Sequence, residues 1–151
     1  MQQREAVWAE ALTWQRTPWR HRQCVKGHGV DCGRLLIACY AAAGVIPEFE
    51  PPPYDPDWNM HRTEERFLGL VRTFGHEIDE AEAGVGDTVV FKYGLTYSHG
   101  AILGPGSEIV HAYRTLGGKL FEGIVQRGDW KAEEDLKRAP RLFFSPKAWR
   151  S

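Results

Sequence analysis

Apolar side chains near the N-terminus recur with the spacing of one helical face. Val7, Ala11 and Trp14 fall at i, i+4 and i+7, with Trp8 and Leu12 beside them. This predicts a helix over 4–16. Thr17-Pro18 ends it, because a residue before proline is driven out of the helical region. The stretch WRHRQCVKGHGV, rich in glycine, histidine and basic groups, reads as a loop. From Cys32 onward, Leu35, Leu36, Cys39, Tyr40 and Ala43 return to helical spacing, with Asp31 at the N-cap position and Gly44 as terminator. Residues 47–58 hold five prolines in twelve positions, which predicts an extended, irregular segment. Thr63 then caps a third helix, EERFLGLVRTF, ended by Gly75. Beyond Gly86-Asp87 the pattern changes to short β-branched runs: TVVFKY, HGAIL, EIVHAYR, LFEGIV and RLFF. Turn residues separate them, as in a meander of antiparallel strands. Helices first and strands second define an α+β class, with the helices packed on one face of a C-terminal antiparallel sheet.

Composition supports one domain spanning 1–151. Of 151 residues, 42% are hydrophobic and 26% charged, enough apolar material for one core and too much for a disordered chain. The net charge of −1 averages a +3 block over 1–40, a −8 block over 41–91 and a +4 block over 92–151. No dense basic stripe stands out, so nucleic acid is not an expected partner. No run approaches the ~18 apolar residues of a membrane span. The first residues carry acidic groups and lack the pattern of a signal peptide, so the expectation is synthesis in the cytoplasm. Three cysteines make a disulfide framework unexpected and leave at least one free thiol.

The position of Cys32 carries the chemistry. In the first turn of a helix a sulfur meets unpaired N–H groups and the positive end of the helix dipole, which favour thiolate and predict a lowered pKa. Cys39, mid-helix on the apolar face, reads as a core cysteine. A cysteine nucleophile needs a base, and the base needs an orienting partner. His99 opens HGAIL and His111 lies within EIVHAYR, twelve residues on across the turn GPGS. That separation sets them side by side on neighbouring antiparallel strands. His61 and His76 flank the third helix and read as incidental.

The succession TPWR, a glycine loop into GVDCGRLL, then GDTVVF, SHGAIL and IVHAY resembles the NlpC/P60 family of cysteine peptidases, from about residue 5 to residue 114. The segment Pro51-Pro52-Pro53-Tyr54-Asp55-Pro56-Asp57-Trp58 looks especially like the branch associated with phage tail tips and gene-transfer particles. The resemblance implies a papain-like core without cofactor, with Cys32 as nucleophile, His99 as general base and His111 as orienting residue. It further implies a peptidoglycan stem peptide as substrate, cut around γ-D-glutamyl, and phage tail-tip proteins as partners in a virion tail. Trp19, Arg22, Asp31, Arg34 and Ser98 complete the implied oxyanion and substrate-binding surface. The chain departs from the family pattern in three places. Asp31-Cys32-Gly33-Arg34 replaces Asp-Cys-Ser-Gly. Trp19 stands for a tyrosine whose hydroxyl helps hold the oxyanion, and His21-Arg22 stands for a glycine pair.

Other readings share the same residues. His21, Cys24, His28 and Cys32 could hold zinc, which would make the chain a non-catalytic tail-assembly protein. Cys24 could form a reversible disulfide with Cys32. An amidase or acyltransferase would keep the same triad and differ in its acceptor. Arg20, Arg22, Lys26 and Arg34 gather around Cys32 in sequence and could recognise the carboxylates of an acidic stem peptide.

Overall fold

The computed structural model describes residues 2–51, 66–93, 96–114 and 123–149. Helix α1 spans Gln2–Thr13. A small hairpin follows, β1 (Cys24–Val25) and β2 (Gly29–Val30), leading into α2 (Cys32–Ala42). Helix α3 (Arg66–Phe74) runs directly into β3 (Gly75–Ile78). The strands β4 (Thr88–Tyr93), β5 (Thr96–Leu103), β6 (Glu108–Arg114), β7 (Gly123–Asp129) and β8 (Arg141–Pro146) complete the fold. The six long strands form one antiparallel sheet in the order β3-β8-β4-β5-β6-β7. The expected meander is β4 to β7, and β8 returns to the other side of β4.

Two features differ from the sequence reading. The glycine- and histidine-rich loop contains the β1–β2 hairpin, too short for any periodicity to signal. Gly75 ends its helix as expected but also begins β3, an edge strand of mixed burial that pairs His76 with Ser145. His76 is therefore a sheet residue. Thr63, His61 and residues 52–58 of the proline-rich segment lie outside the described residues.

The helices pack on one sheet face through a core that includes Val7, Leu35, Leu36, Tyr40, Phe67, Val90 and Ile102. The alternate residues Val89, Phe91, Ala101, Leu103 and Ile109 form a second core beneath Trp130 and Leu136. Strand side chains alternate between faces, so a sheet covered on both sides buries both sets. The segment between β7 and β8, polar in sequence, provides that second cover.

The approach of α2 to β5 decides where the site can form. A Cβ on Gly100 would lie 2.8 Å from the Phe67 ring and 3.0 Å from Leu36 Cδ1. Glycine at this position lets both helices settle against the strand beside His99.

Candidate active site

Asp31 starts α2 as a true N-cap. Its backbone is extended and its Oδ1 accepts the Arg34 N–H at 2.9 Å, satisfying one of the open donors of the first turn. Oδ2 accepts the backbone N–H of Arg22 at 2.9 Å. Arg22 has φ of 63°, a left-handed conformation that favours glycine and strains an arginine. This is the second position of the expected glycine pair. The backbone keeps the bend that glycine would adopt, and the Asp31 carboxylate holds it in place. Arg22's side chain is exposed.

Cys32 is thereby fixed at the first residue of α2 and is almost fully buried. Its thiol donates to the Ser98 carbonyl at 3.6 Å, and the Gly100 N–H points at the sulfur. These are the residues on either side of His99. Pairing of β5 with β6 is confined to Ile102↔Val110 and Leu103↔Ile109, so this part of β5 has no register partner there. The sulfur meets its open backbone groups.

His99 and His111, both buried, meet as the spacing predicts. His99 Nε2 lies 2.6 Å from His111 Nδ1, the rings edge to face with centroids 4.9 Å apart. Phe91, the register partner of His99 on β4, stacks on the His99 ring at 6.3 Å. The structure therefore seats the Cys32 thiol on the β5 backbone either side of His99, and joins the His99 ring to His111 on β6.

The electrostatics correct one expectation. The N–H groups of Cys32, Gly33 and Gly100 do favour thiolate, as a helix start should. Burial outweighs them, Asp31 adds its negative charge, and the Cys32 thiol is pushed up to about 12. Burial likewise lowers His99 to about 4 and holds His111 well below the usual histidine range, with His99 contributing to the latter. The resting site holds a thiol and two neutral imidazoles.

Other expectations are redistributed. Arg34 is buried and paired with Asp31 at 2.9 Å and with Glu50, so its guanidinium serves the start of α2 in place of the expected substrate carboxylate. Arg20 donates to the His28 carbonyl and Lys26 pairs with Glu10. Trp19 is buried and stacks on His21 with centroids 6.5 Å apart, while its backbone N–H donates to Gly123. Cys24 donates to the Arg34 carbonyl at 3.8 Å. Cys24 and Cys32, the pair proposed for a disulfide, stand as free thiols, the first exposed and the second buried. Among the described residues no three His, Cys, Asp or Glu side chains converge as a metal site. No described helix is long and apolar enough to cross a membrane. Sequence reasoning missed Glu133, which faces the far side of His111 from the segment after β7. A glutamate in a run of charges gave no signal.

The fold is the papain-like α+β fold of NlpC/P60 proteins. An NLP/P60 family protein similar to lipoprotein from Staphylococcus aureus superposes with a TM-score of 0.58 at 21% identity, over 91% of this chain and 39% of that one. The peptidoglycan hydrolase RipB of Mycobacterium tuberculosis matches with a TM-score of 0.61 at 17% identity, over 95% and 64% of the two chains. RipD of the same organism, a non-catalytic NlpC/P60 domain protein adapted to peptidoglycan binding, matches at 0.59 and 16%, over 96% and 98%. The chain thus spans well under half of the staphylococcal protein. No family model matches the sequence, and no curated protein matches it.

Proposed function

We propose that the protein is a cysteine peptidase of the NlpC/P60 kind that hydrolyses amide bonds in peptidoglycan stem peptides, at γ-D-glutamyl. RipB and RipD share this fold, one a hydrolase and the other non-catalytic, so the fold alone does not decide. The observation that carries the reading is a helix-start thiol held by the β5 backbone on both sides of His99, a residue whose ring lies 2.6 Å from His111. A purely binding domain has no need to bury two neutral imidazoles against each other.

The chemistry follows from the parts. His99 takes the Cys32 proton through Nδ1, the nitrogen not engaged by His111, as the sulfur attacks the amide carbonyl. The N–H groups at the start of α2 stabilise the oxyanion. Collapse to a thioester expels the amine, which His99 protonates. His99 then activates water to release the acid. His111 orients the His99 ring throughout. The reaction consumes only water and needs no cofactor.

The segment Pro51–Trp58 supports a place in a phage tail tip or gene-transfer particle, where peptidoglycan must be opened locally. The test is mass spectrometry of peptidoglycan fragments after incubation with the protein and with Cys32→Ala. New amino and carboxyl ends at one stem-peptide bond, absent with Cys32→Ala, are expected. Intact stem peptides with wild-type protein would remove the hydrolase reading, and a transferred amine on the acyl half would replace it by an acyltransferase.

A further inference from the structure

The His111 ring has a second nitrogen, and a carboxylate lies against it. Glu133 Oε1 is 3.6 Å from His111 Nε2, longer than a hydrogen bond but close enough that this ring nitrogen faces a carboxylate oxygen. Glu133 reaches this point from the turn after β7, where its backbone N–H donates to Asp129 at 3.0 Å. The sheet is cut away to admit it. A Cβ on Gly128 would run into Glu133 Oε2, so a side chain at that position would compete with the carboxylate for its place.

This is an unfavourable position for a structural acid. Oε2 is buried and has no hydrogen-bond partner among the described residues. Burial first, then the charges of Asp129 and Asp135, hold its pKa above the usual carboxylate range. The Asp129 N–H supports the carboxylate, but two neighbouring acids and an oxygen with no hydrogen-bond partner among the described residues oppose its charge, which fits a group kept for its effect on the histidine.

We propose that Glu133 is a positioning residue, whose carboxylate holds the His111 proton on Nε2 and so sets the proton pattern of the histidine pair. His111 Nδ1 then carries a lone pair and accepts from His99 Nε2–H. That puts the His99 lone pair on Nδ1, the nitrogen that takes the Cys32 proton in the hydrolase reading. In the reverse pattern His111 donates from Nδ1, His99 accepts at Nε2, and the His99 proton sits on Nδ1, where no base remains. The neutral pair has two proton patterns, and Glu133 selects the competent one. The catalytic consequence rests on the hydrolase reading above; the tautomer does not.

The test is long-range proton–nitrogen NMR of the imidazoles near neutral pH, with hydrolysis measured in parallel. Wild type is expected to show His111 protonated on Nε2. Glu133→Ala should shift His111 toward Nδ1–H and lower kcat about ten- to a hundred-fold with KM nearly unchanged, the range in which outer partners of orienting histidines act at metal sites. Glu133→Gln, whose amide oxygen still accepts, should keep the tautomer and most of the turnover. If Glu133→Ala does not fold, Glu133→Asp, which draws the carboxylate back, must give the same shift. An unchanged His111 tautomer in the folded variant overturns the proposal, as does unchanged turnover in an active enzyme. A wild-type protein inert on peptidoglycan but with a Glu133-dependent tautomer overturns the hydrolase reading and supports the positioning role.

Discussion

His99 Nε2 and His111 Nδ1 lie 2.6 Å apart, so a single proton joins the two buried rings. The bonded nitrogen of His99 is Nε2, where the Asp-oriented histidine of the serine proteases uses Nδ1.

Because His111 acts on His99 alone, the two should be strongly non-additive. His99→Ala should abolish turnover. His111→Ala should lower kcat roughly 10²- to 10⁴-fold, and His111→Asn or His111→Gln, which keep an acceptor, should lose less. The double alanine variant should be no worse than His99→Ala, since nothing remains to orient. Steady-state kinetics of the five variants checks this, and full activity of folded His111→Ala would remove His111 from the site.

Thiol reactivity follows burial. With Cys32 pushed up to about 12 and Cys39 buried and raised well above its usual value, exposed Cys24 should be alkylated first near neutral pH. Cys32 labelling should stay slow without substrate and climb only in alkaline solution. Peptide mapping after timed iodoacetamide exposure reads the order. A plateau of fast Cys32 labelling at pH 6–7 would show a resting thiolate instead.

The histidine pair should also make the fold acid-sensitive. A histidine kept neutral by burial binds its proton more readily when unfolded, so its stabilisation is complete above about pH 6.5 and lost as pH falls toward 4. For His99 the loss over that window is roughly 3 kcal/mol, at ~1.4 kcal/mol per pKa unit. Denaturant melts should show this decline in wild type and a flatter one in His99→Gln. Parallel curves for the two proteins would contradict it.

Around Arg34 the two carboxylates should differ sharply. Asp31→Ala removes an N-cap, releases the Arg22 bend and leaves a buried cation short of a partner, so about 3–5 kcal/mol should be lost. Glu50, whose side chain is 76% exposed, should cost under about 1 kcal/mol as Glu50→Ala. Urea unfolding of both variants decides, and equal losses would mean that the pairing with Glu50 matters more than its exposure implies.

Much of this was legible because the signals were local or periodic. Asp31 before a helical pattern marked the cap, and the spacing of His99 and His111 across one short turn placed them together. The burial of the Cys32 thiol was not legible. Helix-start N–H groups can be read from sequence, but the desolvation that overrides them comes from β5 and the helices packing around the sulfur. Arg34 was misread for a similar reason: its partners Asp31 and Glu50 are three and sixteen residues away, and only the fold closes the second gap. Glu133 lay hidden because its meaning depends on Gly128 and on which ring edge of His111 faces it.

The most direct measurement is the intact mass of the protein after rapid acid quench with a soluble stem peptide. An acyl fragment carried on Cys32 as a thioester is predicted, appearing before product and decaying as hydrolysis proceeds. Neither the adduct nor the product should form with Cys32→Ala. Product release that continues undiminished in Cys32→Ala, with no adduct at any time on the wild-type protein, would contradict the account.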